Sequence, residues 1–69
     1  MKFTLKALRA NKNWNQRQAA QAVDVSEYTW RNYERGLTFP DVPVIQRIEK
    51  VFGVPYADII FLTNNTIKS

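Results

Sequence analysis

The sequence predicts an all-α domain built from five short helices. Three observations carry this. Apolar residues recur at three- and four-residue spacings, and no segment sustains the two-residue alternation of a strand. Residues that cap helices (Thr4, Asn15, Ser26, Asp41) stand directly before the apolar periods. Residues that end helices or bar them (Gly36, Pro40, Gly53, Pro55) stand after them. The 69 residues allow one domain. It is predicted to span residues 1–62, followed by a polar tail over 63–69 that is expected to fray.

Thr4 caps the first helix, whose apolar positions Leu5 and Leu8 are three apart. Asn11-Lys12-Asn13 ends that period, and Trp14, alone between two asparagines, is expected to cover one end of the core. Asn15 and Gln18 have capping-box spacing for a second helix over Gln16–Val23, rich in alanine. Ser26 caps a third helix running from Glu27 to about Arg35, closed by Gly36. On this helix Trp30, Tyr33 and Glu34 share one side, while Glu27, Tyr28, Arg31 and Asn32 share another. Asp41 caps the fourth helix, in which Val44, Ile45, Ile48, Val51 and Phe52 form the broadest apolar face of the chain. After Gly53 and Pro55, the apolar run Ile59–Leu62 predicts a fifth helix over Tyr56–Leu62.

Composition narrows the function. There is no cysteine and no histidine, so disulfides and histidine-based acid–base catalysis are excluded, and only carboxylates remain as metal ligands. No metal and no cofactor is expected, and an enzyme is the weakest reading. No run approaches the roughly 20 apolar residues of a membrane span. The start of the chain lacks a signal-peptide pattern, which makes a cytoplasmic location the expectation. The net charge is +4. Residues 1–36 hold seven bases (Lys2, Lys6, Arg9, Lys12, Arg17, Arg31, Arg35) and three acids (Asp24, Glu27, Glu34), so the first half carries all of it. Such an asymmetry suits a polyanion through counterion release. It also suits ordinary solubility.

Two short helices joined by a three-to-four-residue turn across Gln16–Arg35 must cross steeply. A small residue is needed at the crossing, and Ala20 supplies it. The face Glu27, Tyr28, Arg31, Asn32 then projects away from the body, with groups that donate, accept and stack, and such a helix fits the DNA major groove.

The stretch from Asn15 to Gly36 resembles the helix-turn-helix of the phage repressor and Cro family (lambda-repressor-like, XRE-type). The resemblance extends upstream to Leu5-Lys6-Ala7-Leu8-Arg9 and downstream to Pro40, Ile48 and Phe52-Gly53-Val54, covering about residues 3–61. It implies the compact five-helix DNA-binding domain of that family. It also assigns roles. Arg9 and Glu34 match positions that pair inside family members, so replacing Glu34 is expected to harm the fold more than base preference. Gln16 matches a glutamine that meets a DNA phosphate, and Asn15 and Arg17 adjoin it. Glu27, Tyr28, Arg31 and Asn32 match or adjoin base-reading positions. Ser26, Thr29 and Arg35, with Thr38 in the following loop, suit phosphate contacts. The sequence departs from the family where Asp24 replaces the usual turn glycine, and where Trp30 and Tyr33 replace aliphatic residues. Ala19 and Ala20 are expected to make room for Trp30.

Relatives bind DNA as dimers whose two recognition helices meet grooves about 34 Å apart. Tyr56, Ile59, Ile60, Phe61 and Leu62 exceed the apolar needs of one small core, so part of this stretch is the expected dimer surface; capping the core is the alternative. The implied function is a Cro- or repressor-like transcriptional regulator, without a sensing domain, that binds a double-stranded DNA operator as a weak homodimer. The rival readings are an antirepressor that holds a partner repressor protein, using Glu27, Tyr28 and Phe39, and an antitoxin-like module.

Overall fold

Each helix of the computed structural model, which describes residues 2–62, begins at a polar side chain that accepts from its first turn. A two-residue strand β1 (Phe3–Thr4) leads into α1 (Leu5–Asn11), α2 (Gln16–Ala22), α3 (Glu27–Arg35) and α4 (Val42–Phe52). Thr4 Oγ1 accepts from the Ala7 N–H at 3.1 Å. Asn15 and Gln18 form a reciprocal capping box, both bonds 2.8 Å. Ser26 Oγ accepts from Thr29 N–H at 3.1 Å, and Asp41 Oδ1 from Val44 N–H at 3.2 Å. Such caps contribute about 1 kcal/mol each by satisfying donors the helix itself cannot.

The fifth helix predicted over Tyr56–Leu62 does not form. A single 3-10 turn, Tyr56–Asp58, is followed by strand β2 (Ile59–Ile60), which pairs in parallel with β1 in the register Phe3 with Ile59 and Thr4 with Ile60. Four α-helices and one small strand pair therefore replace five helices. The physical reasons are local and long-range. The segment makes no side-chain cap hydrogen bond after Pro55, unlike the four α-helices, so nothing satisfies the free donors of a first turn there. Ile59 and Ile60 are β-branched, and β1 lies beside them with its ladder unfilled. The Glu49 carboxylate fixes the approach by accepting from Tyr56 N–H at 2.6 Å. The polar tail expected over 63–69 lies outside the described residues.

Trp30 is the centre of the core and is wholly buried, as is Ile48. Leu5 and Leu8 from α1, Ala19 and Ala20 from α2, Val23, Tyr33, Val44 and Ile59 complete it. Ala19 and Ala20 of α2 are buried and small, so α3 can carry a tryptophan inward without pushing α2 away. Trp30 stacks on Phe52 with ring centroids 6.1 Å apart, and Trp14 meets Phe52 edge-on at 5.8 Å, closing the end of the core.

The turn between α2 and α3 is tight. Val25 N–H donates back to the Ala20 carbonyl at 3.0 Å while Asp24 takes the left-handed conformation, φ 61°. Arg47, on α4, donates from Nε to the Val23 carbonyl at 2.8 Å and so closes the C-terminal end of α2. α3 ends at Gly36, φ 77°, where a Cβ would stand 3.0 Å from the main-chain carbon of Leu62. Among the described residues no helix is long and apolar enough to cross a membrane.

Candidate nucleic-acid interface

The third helix is held to the body by one carboxylate. Glu34, its side chain 5% exposed, accepts from Arg9 Nε at 2.6 Å and Arg9 Nη2 at 3.2 Å. It also accepts from Trp30 Nε1 at 2.5 Å and Gln16 Nε2 at 3.2 Å. Arg9 spends its last arm on the Trp14 carbonyl at 3.0 Å. Burial pushes the Glu34 carboxyl upward, but the bonds from Arg9, Gln16 and Trp30, with the charge of Arg9, outweigh it and hold the group below the ordinary glutamate range. Arg9 is therefore a structural cation. One residue further round α3, burial with the nearby Asp41 raises the Tyr33 hydroxyl, against an opposing pull from Arg47, so it stays a neutral phenol.

With α3 anchored along that edge, the adjoining arc faces out. Tyr28 is 70% exposed, and Glu27 and Arg35 are exposed. Arg31 is partly exposed and bonded to Glu27 Oε2 at 3.0 Å, one turn apart. Asn32, expected on this face, is not there: it is buried, only 7% exposed. At 3.6 residues per turn it stands about 140° round from Glu27, beyond the open arc. There the chain turns back over it, with Leu37 N–H donating to the Asn32 carbonyl at 3.0 Å and Pro40 buried. The open face of α3 is Glu27, Tyr28, Arg31 and Arg35.

Beside this face lies an open cleft of about 590 Å³ lined by Lys6, Arg9, Asn15, Gln16, Arg31, Glu34 and Arg35. Glu34 neutralises Arg9, so the remaining character of the cleft is cationic. It brings together four of the expected DNA contacts (Asn15, Gln16, Arg31, Arg35) with the Arg9–Glu34 pair, and adds Lys6, a base to which the sequence assigned no contact. Its signal was the three-residue spacing to Arg9, which puts both on one side of α1. Arg17, Ser26, Thr29 and Thr38 do not line the cleft. The Ser26 and Thr29 hydroxyls bond each other at 2.9 Å.

A buried and exposed pair of faces, a left-handed turn and a basic cleft at the start of α2 define the arrangement. The family model described as a helix-turn-helix domain matches residues 3–59. The chain belongs to the helix-turn-helix family of phage-repressor type. A cryptic phage CTXphi transcriptional repressor, RstR of Vibrio cholerae, is similar at 29% identity over 56 residues, which is 81% of this chain and 50% of that protein. The chain thus spans about half the length of the curated relative it matches.

In this helix-turn-helix domain the residues expected to form a dimer surface divide. Ile59 is not part of any surface: it is 7% exposed and packs in the core, because strand pairing turns alternate side chains inward and outward. Tyr56, Ile60 and Leu62 are exposed. Phe61 is half-buried, stacked on Tyr56 at 5.6 Å and tilted against Phe39 at 4.9 Å. Next to them an open hollow of about 500 Å³ is walled by Phe39, Pro40, Asp41, Val42, Ile45 and Tyr56.

Proposed function

We propose that this chain is a sequence-specific transcriptional regulator, Cro- or repressor-like, that binds operator DNA by laying α3 in the major groove. The observation that carries the reading is the outward arc Glu27, Tyr28, Arg31, Arg35 set against the basic cleft of Lys6, Asn15 and Gln16. Arg31 is the strongest base reader, able to fork onto guanine O6 and N7. Tyr28 meets a thymine methyl or a phosphate, and Glu27 accepts from cytosine N4 or supports Arg31. The flanking phosphates fall to Asn15, the Gln16 main chain and Arg17 at the start of α2, to Ser26 and Thr29 at the start of α3, and to Lys6, Arg35 and Thr38. The similarity to a phage transcriptional repressor supports the same function.

A single module of this size covers limited DNA, so two copies are expected on one operator. The exposed apolar residues Tyr56, Ile60 and Leu62, with Phe61, support self-association. The test is selection of DNA from a random pool with the purified chain, followed by binding across a salt series. A regulator selects one sequence and loses affinity steeply with salt. An antirepressor or antitoxin-like module selects none, binds DNA poorly at physiological salt and captures a second protein instead; that result overturns the reading.

A further inference from the structure

Gln16 joins two parts of the molecule that the functional reading treats separately. Its Nε2 donates to Glu34 Oε1 at 3.2 Å, and its Oε1 accepts from Arg31 Nε at 3.3 Å. The chemistry of the partners leaves this amide one orientation. An ionised carboxylate only accepts, so the NH2 end must face Glu34; a guanidinium only donates, so the oxygen must face Arg31. A flipped amide would set acceptor against acceptor and donor against donor. Glu34 is itself fixed by Arg9 and Trp30. A continuous chain of bonds therefore runs from the buried indole and Arg9, through Glu34 and Gln16, to Arg31, and ends at Glu27.

The Arg31 side chain is thereby held from two directions. Nε is taken by Gln16 and one N–H of Nη2 by Glu27 Oε2. Nη1 and the remaining N–H of Nη2 make no hydrogen bond among the described residues, and they form the fork at the tip of the side chain. We infer that Gln16 is a positioning residue for Arg31: it transmits the fixed geometry of the Glu34 cluster to the tip of the recognition helix and presents the Nη1/Nη2 fork to one guanine. Glu27 is the second arm of the same support. The arginine then has less side-chain freedom to lose on binding, which raises both its affinity and its discrimination. This rests on the reading of α3 as a base-reading helix.

The experiment uses the full chain with Gln16→Met, which keeps the length of the side chain and removes both bonds, beside Arg31→Ala. Binding is measured to the selected operator and to its single-base-pair variants. The expected result is that Arg31→Ala removes discrimination at one base pair. Gln16→Met lowers discrimination at that same base pair by roughly tenfold, within the range of one bidentate contact, and leaves the other positions unchanged. In the free protein, measured well below the melting temperature of both chains, the Arg31 Nε–H resonance should move and exchange faster in Gln16→Met than in the unmodified chain. A uniform loss of affinity at every position would make Gln16 a phosphate contact only and overturn the inference while the regulator reading stands. An unperturbed Arg31 Nε–H would overturn it as well. If the unmodified chain selects no sequence, the regulator reading itself fails. In that case the Nε–H shift still reports whether Gln16 fixes Arg31.

Discussion

Removing the Glu34 carboxylate should cost the domain a large share of its stability. In Glu34→Ala the Arg9 guanidinium, only 16% exposed, loses its counter-charge, and the Trp30 indole N–H loses its acceptor inside the core. Breaking a buried pair by removing one partner costs about 3–5 kcal/mol, chiefly because the surviving charge is left uncompensated. The total stability of a domain this size is only about 3–10 kcal/mol at 0.05–0.15 kcal/mol per residue. Each kcal/mol moves the melting point by about 4–8 °C, so a fall of at least about 12 °C is expected by circular dichroism. Should the alanine variant fail to fold, Glu34→Gln carries the test, since it keeps the shape and one acceptor. In a cycle with Arg9→Met its coupling energy should exceed about 1 kcal/mol. The pH dependence has a definite sign. The folded carboxyl is held below its ordinary range, so its contribution is complete above the unfolded value of about 4.3 and is lost as pH falls through the folded value. Glu34→Gln should therefore show a flatter acid decline below about pH 4.3 than the unmodified chain. A Glu34→Ala melt within about 2 °C of the unmodified chain, against a cost of several kcal/mol, would refute the account of the cluster.

Three backbone positions with positive φ give further tests. Asp24 is held at φ 61°, where a side chain costs about 1–2 kcal/mol and less for aspartate. Asp24→Gly is expected to leave the melt unchanged or raise it slightly, and Asp24→Val to lower it by several degrees; equal melts for the two would sink the argument. Gly36→Ala meets the Leu62 backbone at 3.0 Å as well as an unfavourable φ, whereas Gly53→Ala at φ 69° meets nothing within 4 Å. The first should cost more than the second, and chemical denaturation of both separates the contact from the φ penalty of about 1–2 kcal/mol.

What the sequence made legible was local. The caps at Thr4, Asn15, Ser26 and Asp41 need only neighbours three residues away, and each was readable for that reason. The inward tryptophan was readable because Ala19 and Ala20 left the volume it needs. The failures are long-range. Strands of two residues show no period, and Ile59–Ile60 becomes a strand only because Phe3–Thr4, more than fifty residues earlier, lies beside it. Asn32 was misplaced because its burial depends on where the chain goes after Gly36. The bond from Arg47 to the Val23 carbonyl joins α4 to the end of α2 and leaves no trace in either segment alone. In the site, the residue types on α3 were legible and their mutual bonding was not: nothing in the spacing of Gln16 and Arg31 announces a hydrogen bond.

The charge of the chain can be turned into a count of protomers on DNA. Of the cations on the cleft side, Arg9 is neutralised by Glu34 and Arg31 is shared with Glu27. Lys6, Arg17 and Arg35 form no ion pair among the described residues. Under the proposed binding mode, Lys6 and Arg35 of the cleft and Arg17 on the first turn of α2 each meet a phosphate and together release about three counterions, a log–log salt slope of about −3 for one protomer and about −5 to −6 for two, at roughly −0.9 per phosphate. Lys6→Gln should make the slope shallower by about 1 for each protomer bound, while weakening all sequences alike. A dimer on the operator therefore predicts a slope near the larger value and a change of about 2 for Lys6→Gln. A slope near −3 that changes by only about 1 would mean a single protomer. The exposed apolar end of the fold would then have to serve something other than a second copy.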